Sequence, residues 1–149
     1  MYTSIVVGTD GSGTATAAVN EAVRMARWFD ARLHVVGAYG VPGVNMAAAS
    51  MGAPGMGMVY EEWDLSAREV VEGYLEEAAA AARRDRAKVD TYAVPGNPVG
   101  AILDVAKSAE ADLIVVGNRG MAGARRVLGS VPNTIAHRAY CTVLIVKTC

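Results

Sequence analysis

The sequence predicts an α/β protein, an open parallel sheet of five strands with helices on both faces. Short apolar runs alternate with longer segments of helical periodicity, two of the runs end in Val-Val-Gly, and a glycine-rich loop follows each of these two. Such alternation favours parallel strands joined by crossover helices. Because these sheets bind ligands beyond the carboxyl ends of their strands, the two loops mark the edge where we expect a site.

Length and composition predict one domain over residues 1–149. Hydrophobic residues make up 52% of the chain, which is enough for a real core. The net charge of -1 argues against a partner held mainly by nucleic-acid phosphates. No apolar run approaches the ~20 residues of a membrane span, and the first residues lack the features of a signal peptide. We therefore expect a cytoplasmic protein that binds neither nucleic acid nor membrane.

Cysteine and histidine usage predicts neither a disulfide framework nor a metal site. Cys141 and Cys149 are too few for a framework and are expected to be free thiols. His34 and His137 have no cysteine or acidic partner at metal-ligand spacing. We expect His34 to be a packed or surface residue at the end of a strand.

The first half of the chain begins with a strand, a helix and a second strand. Residues 4–8 are an apolar run ending in glycine, and apolar side chains recur at helical spacing over 14–29. Residues 32–39 are rich in β-branched side chains, as strands are. Residues 40–60 combine Gly, Ala, Met and Pro without periodicity or charge, which predicts a flexible loop near a site or an inert insertion.

The second half continues the alternation of helices and strands. Asp64 and Ser66 offer caps for a helix that runs to about Arg86. Its buried stripe is predicted to comprise Val71, Tyr74, Leu75, Ala78 and Ala82. Asn97 can cap the following helix, with Pro98 at its first position. The other predicted elements are strands over 88–94, 112–117 and 141–147 and a helix over 131–139.

The loop after the first strand does not suit phosphate. Gly8 and Gly13 are spaced as in a P-loop, but Thr14 stands where that motif needs a lysine. Asp10 lies inside the loop, and its negative charge suits hydroxyls, an amino group or a metal better than an anion. The loop therefore predicts contacts to a base and a sugar, although Asp10 could instead cap the first helix, as could Ser12.

The loop after the fourth strand has the opposite character. No carboxylate lies between Gly117 and Ser130, and Ser130 opens a helix with Pro132 in its first turn. Glycines let backbone N–H groups approach an anion, and a helix start adds unpaired N–H groups and a positive dipole end. The loop also contains Gly120, Gly123, Gly129, Arg119, Arg125 and Arg126. It predicts a phosphate site, while Arg125 and Arg126 are expected to be solvated residues of a helix face rather than ligands.

Taken together, four stretches of the chain resemble the universal stress protein family. They are IVVGTDGS, LHVV, ADLIVVGNRG and LGSVPNTIAHRAYCTVLIVK, and only residues 40–60 are unmatched. The resemblance implies a Rossmann-like sheet in the order 3-2-1-4-5, of the adenine nucleotide α-hydrolase-like type. It also implies a homodimer joined through the last strand, residues 142–147.

The resemblance further implies an adenine-nucleotide site. Adenine would lie against the backbone of Asp10 and Val35, and ribose near Gly8, Val116 and Gly117. Phosphates would meet Gly120, Gly129, Ser130 and Val131, and the same two loops contribute Thr9, Asn118, Arg119 and Pro132. The gap over 121–128 has eight residues, one fewer than in ATP-binding members, and its flexible Met-Ala-Gly stretch could absorb the difference.

Several functions stay open at this point. The first is an ATP-binding regulator, with or without Mg²⁺, that performs no catalysis or only slow ATP hydrolysis, since the chain lacks a P-loop lysine. A second is a cyclic AMP binding protein of the same fold, which would need fewer phosphate contacts. A third is a dimeric interaction protein that binds no nucleotide. An adenylating ligase is disfavoured, because residues 8–15 lack the Ser-Gly-Gly order of those enzymes.

Overall fold

Strands and helices alternate along the chain as predicted. The computed structural model describes residues 1–40, 56–118 and 130–148, with side chains from residue 65 onward in the second range. Within these ranges the elements are β1 (Ser4–Gly8), α1 (Gly13–Phe29), β2 (Arg32–Tyr39), α2 (Met56–Arg84), β3 (Lys88–Pro95), α3 (Pro98–Ser108), β4 (Leu113–Gly117), α4 (Ser130–Arg138) and β5 (Thr142–Val146).

The strands form one parallel sheet in the order β3-β2-β1-β4-β5. Val7 in β1 lies opposite Val35 in β2 and Val115 in β4, so β1 is the central strand. The chain leaves β1 towards β2 on one side and returns to β4 on the other. The strand order therefore reverses at the carboxyl ends of β1 and β4, where open α/β sheets bind ligands.

Alternation of side chains along the strands builds a separate core on each face of the sheet. One core packs Ile5, Val7 and Leu33 beneath α1 and α2. The other packs Val6 and Ile114 beneath α3 and α4. β1 and β4 are apolar on both faces because helices cover both, as expected of central parallel strands.

Two helices begin at side-chain caps. The Ser12 hydroxyl accepts a hydrogen bond from the Ala15 amide at 3.2 Å and caps α1. The side-chain oxygen of Asn97 accepts a hydrogen bond from the Gly100 amide at 2.8 Å and caps α3, whose first residue is Pro98. The predicted Asn97 cap is confirmed, and of the two candidates for α1 the residue that caps is Ser12.

The predicted start of α2 at Asp64 or Ser66 is wrong, because the helix begins at Met56. Residues 58–65 contain neither glycine nor proline, so nothing stops the helix from extending towards the amino end past the capping sequence. Of the predicted loop over 40–60, residues 56–60 thus belong to α2, and 41–55 lie outside the described residues. No helix in the described ranges is long and apolar enough to cross a bilayer.

His34 lies within β2 rather than at the end of a strand, contrary to the prediction. It is buried, and its Nδ1 lies 2.9 Å from the Tyr92 hydroxyl on β3. Burial lowers the pKa of His34, Asp90 opposes this by raising it, and Arg32 adds a smaller lowering. His34 is a packed core residue, which the second part of the prediction anticipated.

Candidate functional site

A cavity opens at the carboxyl ends of β1 and β4, where the two glycine-rich loops were predicted to meet. Its described walls enclose about 170 Å³. The sequence-predicted residues that line it are Gly8, Thr9, Asp10, Val116, Gly117, Ser130, Val131 and Pro132. A pocket for a drug-sized ligand holds at least about 300 Å³. The described walls therefore account for part of a nucleotide-sized site.

The floor of the cavity depends on a glycine at the end of β1. A Cβ atom at Gly8 would lie 2.4 Å from Cδ1 of Ile102 on α3, much closer than carbon atoms approach. The missing side chain lets α3 pack directly on the strand end, and Ile102 itself lines the cavity with Val36 and Val116. This floor is apolar, which suits the face of a base.

The turn over residues 9–12 is held by hydrogen bonds from its backbone amides, two of which go to side chains of the turn itself. The Thr9 amide donates to the Val36 carbonyl at 2.9 Å, which ties the turn to β2. The Gly11 amide donates to the Thr9 hydroxyl at 3.1 Å, and the Ser12 amide donates to Oδ1 of Asp10 at 2.9 Å. Gly11 has a φ of +78°, which favours glycine. Asp10 is exposed and reaches the cavity, so this wall carries an acceptor with a negative charge.

The opposite wall is the start of α4. Ser130 is exposed there and Val131 is half-buried. Amides in the first turn of a helix have no partner within it, and the dipole adds partial positive charge. This wall suits an anion, as the sequence predicted. Arg119, Gly120 and Gly129, the other predicted phosphate contacts, lie outside the described residues.

Two predicted site residues do not line the cavity. Val35 is fully buried in the core beneath α1 and α2, and its neighbour Val36 reaches the cavity instead. The side-chain oxygen of Asn118 accepts hydrogen bonds from the backbone amide and the hydroxyl of Thr148, at 2.9 and 2.7 Å. The Asn118 amide also donates to the Val146 carbonyl at 2.9 Å. Asn118 therefore joins the end of β4 to the end of β5.

Sequence reasoning missed the part of the site that comes from other elements. The additional lining residues are Ala15, Val36, Ala38, Pro98 and Ile102. Ile102 lies on the apolar face of α3, where the helical period predicts core packing and cannot distinguish the core from the floor of a cavity. The signal that could have indicated it is the glycine that ends β1, since a strand-end glycine marks a close approach of another element.

The described walls carry few polar side chains. The hydroxyls of Thr9 and Ser130 and the carboxylate of Asp10 surround an apolar floor. Within 1–40, 56–118 and 130–148, no group of three His, Cys, Asp or Glu side chains could hold a metal ion. The groups with a shifted pKa lie outside the cavity lining; they are His34, Tyr74, Tyr92, Asp112, Tyr140 and Cys141.

Comparison with known proteins identifies relatives over almost the whole chain. A sequence model of the universal stress protein family matches residues 1–147. The universal stress protein Rv1636 of Mycobacterium tuberculosis is 36% identical over 149 residues, which cover 99% of this chain and 97% of that protein.

Solved structures agree with this match. A universal stress protein in complex with cAMP is 33% identical, with a TM-score of 0.73 over 99% of both chains. The hypothetical protein MJ0577 has a TM-score of 0.83 over 99% of this chain and 96% of that one. At 22% identity this second likeness shows the fold alone. The predicted fold class, an open parallel sheet of five strands in the order 3-2-1-4-5 with helices on both faces, is confirmed.

Proposed function

Because this chain belongs to the universal stress protein family, we propose that it binds an adenine nucleotide in the cavity at the ends of β1 and β4. ATP is the ligand proposed first, with cyclic AMP as the alternative, and the protein acts as a stress or signalling regulator. The observation that carries the proposal is one cavity with an acidic turn on one wall and a helix start on the other.

The two walls assign the parts of the nucleotide. Asp10 accepts hydrogen bonds from ribose hydroxyls or from the amino group of adenine, and the apolar floor receives the base. The amides and the hydroxyl at the start of α4 receive phosphate oxygens, which helix starts bind well. In the opposite orientation the phosphates would meet the Asp10 carboxylate, and like charges would repel. The charges therefore favour one orientation of the ligand.

Cyclic AMP is the second candidate for a specific reason. A universal stress protein 33% identical to this chain was solved in complex with cAMP. Cyclic AMP carries a single phosphate and needs fewer contacts than a triphosphate. The loop over 121–128 is one residue short of the ATP-binding pattern, which suits the smaller ligand.

A regulatory role is proposed rather than a catalytic one. Lysine, arginine, histidine and cysteine are not among the described lining residues, so no described wall of the cavity supplies a phosphate clamp or a general base of those types. Hydrolysis of ATP, if it takes place, is expected to be slow. We also propose a cytoplasmic homodimer joined through β5, whose apolar side chains are only half-buried at the edge of the sheet.

Isothermal titration of the purified chain tests the proposal. ATP with Mg²⁺, cyclic AMP and GTP are titrated separately, and each is also tested for a shift in Tm. We expect heat and a raised Tm with ATP or cyclic AMP and neither with GTP. A ligand at 100 times its Kd stabilises the folded state by about 2.7 kcal/mol. Absence of both signals with both adenine nucleotides would overturn the proposal and favour an interaction protein.

A further inference from the structure

One tyrosine of α2 fills two notches left by glycines on different elements. A Cβ atom at Gly11, in the turn after β1, would lie 2.7 Å from Cδ1 of Tyr74. A Cβ atom at Gly37, in β2, would lie 3.0 Å from the Tyr74 hydroxyl and 3.1 Å from its Cε2. The aromatic ring therefore spans from the sheet to the turn. A Cβ atom at Gly37 would also lie 2.7 Å from Cγ1 of Val71, so a side chain there would displace both Val71 and the ring, and one at Gly11 would displace the ring.

The Tyr74 ring packs on the face of the turn over residues 9–12 that is directed away from the cavity. Tyr74 packs against the core beneath α1 and α2 and does not line the cavity. Gly11 lies between Thr9 and Asp10 on one side and the cap of α1 on the other. Apart from the bond of the Thr9 amide to the buried Val36 carbonyl, residues 9–12 depend on hydrogen bonds among exposed or half-buried groups, which water can replace. The ring is the bulky apolar contact that limits how far this turn can move back.

The Tyr74 hydroxyl also responds to the acidic residue of the same turn. Burial raises the pKa of the Tyr74 hydroxyl, and the Asp10 carboxylate raises it further. Tyr74 thus contacts the turn at the residue next to the one proposed to receive the base and sugar.

We propose that Tyr74 is a positioning residue, which holds residues 9–12 in the geometry that binds the nucleotide without contacting the ligand itself. This inference rests on the proposed function for its consequence on affinity. The contact of the ring with the turn is independent of the ligand. Loss of the ring is expected to leave the turn mobile, so that a nucleotide must order it on binding and affinity falls.

Three variants test the inference. Tyr74→Leu removes the ring, and Tyr74→Phe keeps the ring while removing only the hydroxyl. Tyr2→Leu is the matched control, since Tyr2 packs a half-buried ring on Phe29 in the same core, before the start of β1. Should the leucine variant fail to fold, Tyr74→Met replaces it, because methionine fills irregular apolar space on a helix.

Two measurements are made on each variant. The first is the backbone ¹⁵N order parameters without ligand, and the second is the Kd for ATP with Mg²⁺ and for cyclic AMP by titration. In Tyr74→Leu we expect the order parameters of Gly11 and Ser12 to fall from about 0.85 to below about 0.6. We expect Kd to rise about tenfold. Tyr74→Phe and Tyr2→Leu should keep both values near those of the unmodified chain.

The outcomes separate the two proposals. Unchanged order parameters in a folded Tyr74→Leu or Tyr74→Met variant would overturn the positioning role, whatever the affinity. A rise in Kd of similar size in Tyr2→Leu would also overturn it, since the effect would then follow from general destabilisation. If the unmodified chain binds neither adenine nucleotide, the proposed function fails, and the order parameters still decide whether the ring braces the turn.

Discussion

The Asp112 carboxylate joins the amino ends of two neighbouring strands, β4 and β1, by hydrogen bonds. It accepts hydrogen bonds from the Thr3 amide at 2.9 Å, the Thr3 hydroxyl at 2.9 Å and the Ser4 amide at 3.2 Å. Burial alone would raise the pKa of Asp112, but these hydrogen bonds outweigh it and hold the pKa below its usual value. The residue before β4 thereby fixes the start of the neighbouring β1.

The Asp112→Asn substitution should lower the free energy of unfolding at pH 7 by about 1–2 kcal/mol, since it removes charged hydrogen bonds. The folded pKa lies below the unfolded one, so the stabilisation is complete above about pH 4 and decreases as the pH falls further. In urea unfolding, the difference in unfolding free energy between Asp112→Asn and the unmodified chain should be smaller at pH 3 than at pH 7. Asp104→Asn, on the exposed face of α3, is the control and should have little effect at either pH.

His34 predicts a second dependence on pH, at higher values. Because burial disfavours its protonated form, the pKa is lower in the folded than in the unfolded chain. Stability is therefore full above about pH 6.5 and decreases as the pH falls towards the folded pKa. In His34→Gln, urea unfolding at pH 7.5 and 5.5 should show less loss of stability than in the unmodified chain. Equal losses in both would contradict the assignment.

At the scale of single residues, the sequence predicts the polar groups of the site better than the apolar residues that line it. Asp10 and Ser130 were found because their charge and capping chemistry are legible in the residues themselves. Ile102 and Val36 were not, since whether a buried apolar residue faces a core or a cavity depends on what packs opposite it. Val35, predicted to meet adenine through its backbone, is the neighbour of the lining residue Val36, and one step along a strand changes the face on which a side chain lies.

The contact between β1 and α3 yields a prediction at the scale of elements. In Gly8→Ala the new methyl group should push Cδ1 of Ile102 into the cavity. The cost in unfolding free energy should be about 1 kcal/mol, at the low end for overpacking, because Cδ1 is the end of a side chain with open space beside it. Nucleotide affinity should fall about tenfold, since the methyl group displaces the floor.

Two further variants make this prediction specific. Gly8→Ala combined with Ile102→Val, which lacks Cδ1, should recover most of the affinity in titration. Gly13→Ala adds a methyl group that meets nothing within 4 Å and should change affinity little. A failure of Ile102→Val to recover binding would contradict the role of this contact.

Strands were easier to predict than the start of α2. β1 and β2 were predicted with the bounds they have, since apolar runs that end in glycine or turn residues leave few alternatives. The start of α2 was missed because a capping sequence marks a beginning only where the preceding residues cannot be helical. Ser66 and Glu69 have the right spacing, yet both lie inside the helix. Local signals define such an end only when something interrupts the helix.

At the scale of the whole molecule, the edge strand β5 predicts self-association. Its side chains from Val143 to Val146 are apolar and half-buried, although edge strands of monomers usually carry charge or proline. By sedimentation the unmodified chain should have twice the 15.5 kDa mass of one chain. Ile145→Lys should shift the population towards the single chain, because dimerisation would bury the new charge.

The control for this experiment is Thr91→Lys, an exposed position on β3 at the other edge of the sheet. It adds the same charge to an edge strand and should leave the mass unchanged. A single-chain mass for the unmodified protein, or equal effects of the two lysines, would contradict an interface at β5. The order of the strands came from the family resemblance, since periodicity identifies strands but does not indicate which of them are neighbours.

The hydrogen bonds between Asn118 and Thr148 connect this edge to the mouth of the cavity. Asn118 directly follows β4, whose last residues line the cavity, and Thr148 is the second residue after the proposed interface strand. The proposed ligand site and the proposed interface are thus joined by hydrogen bonds, and any linkage between ligand binding and subunit association would be mutual. The factor by which the nucleotide changes the affinity of the subunits for each other must equal the factor by which dimerisation changes the affinity for the nucleotide. The protein concentration in the cell would thus help to set how sensitively the chain responds to its ligand.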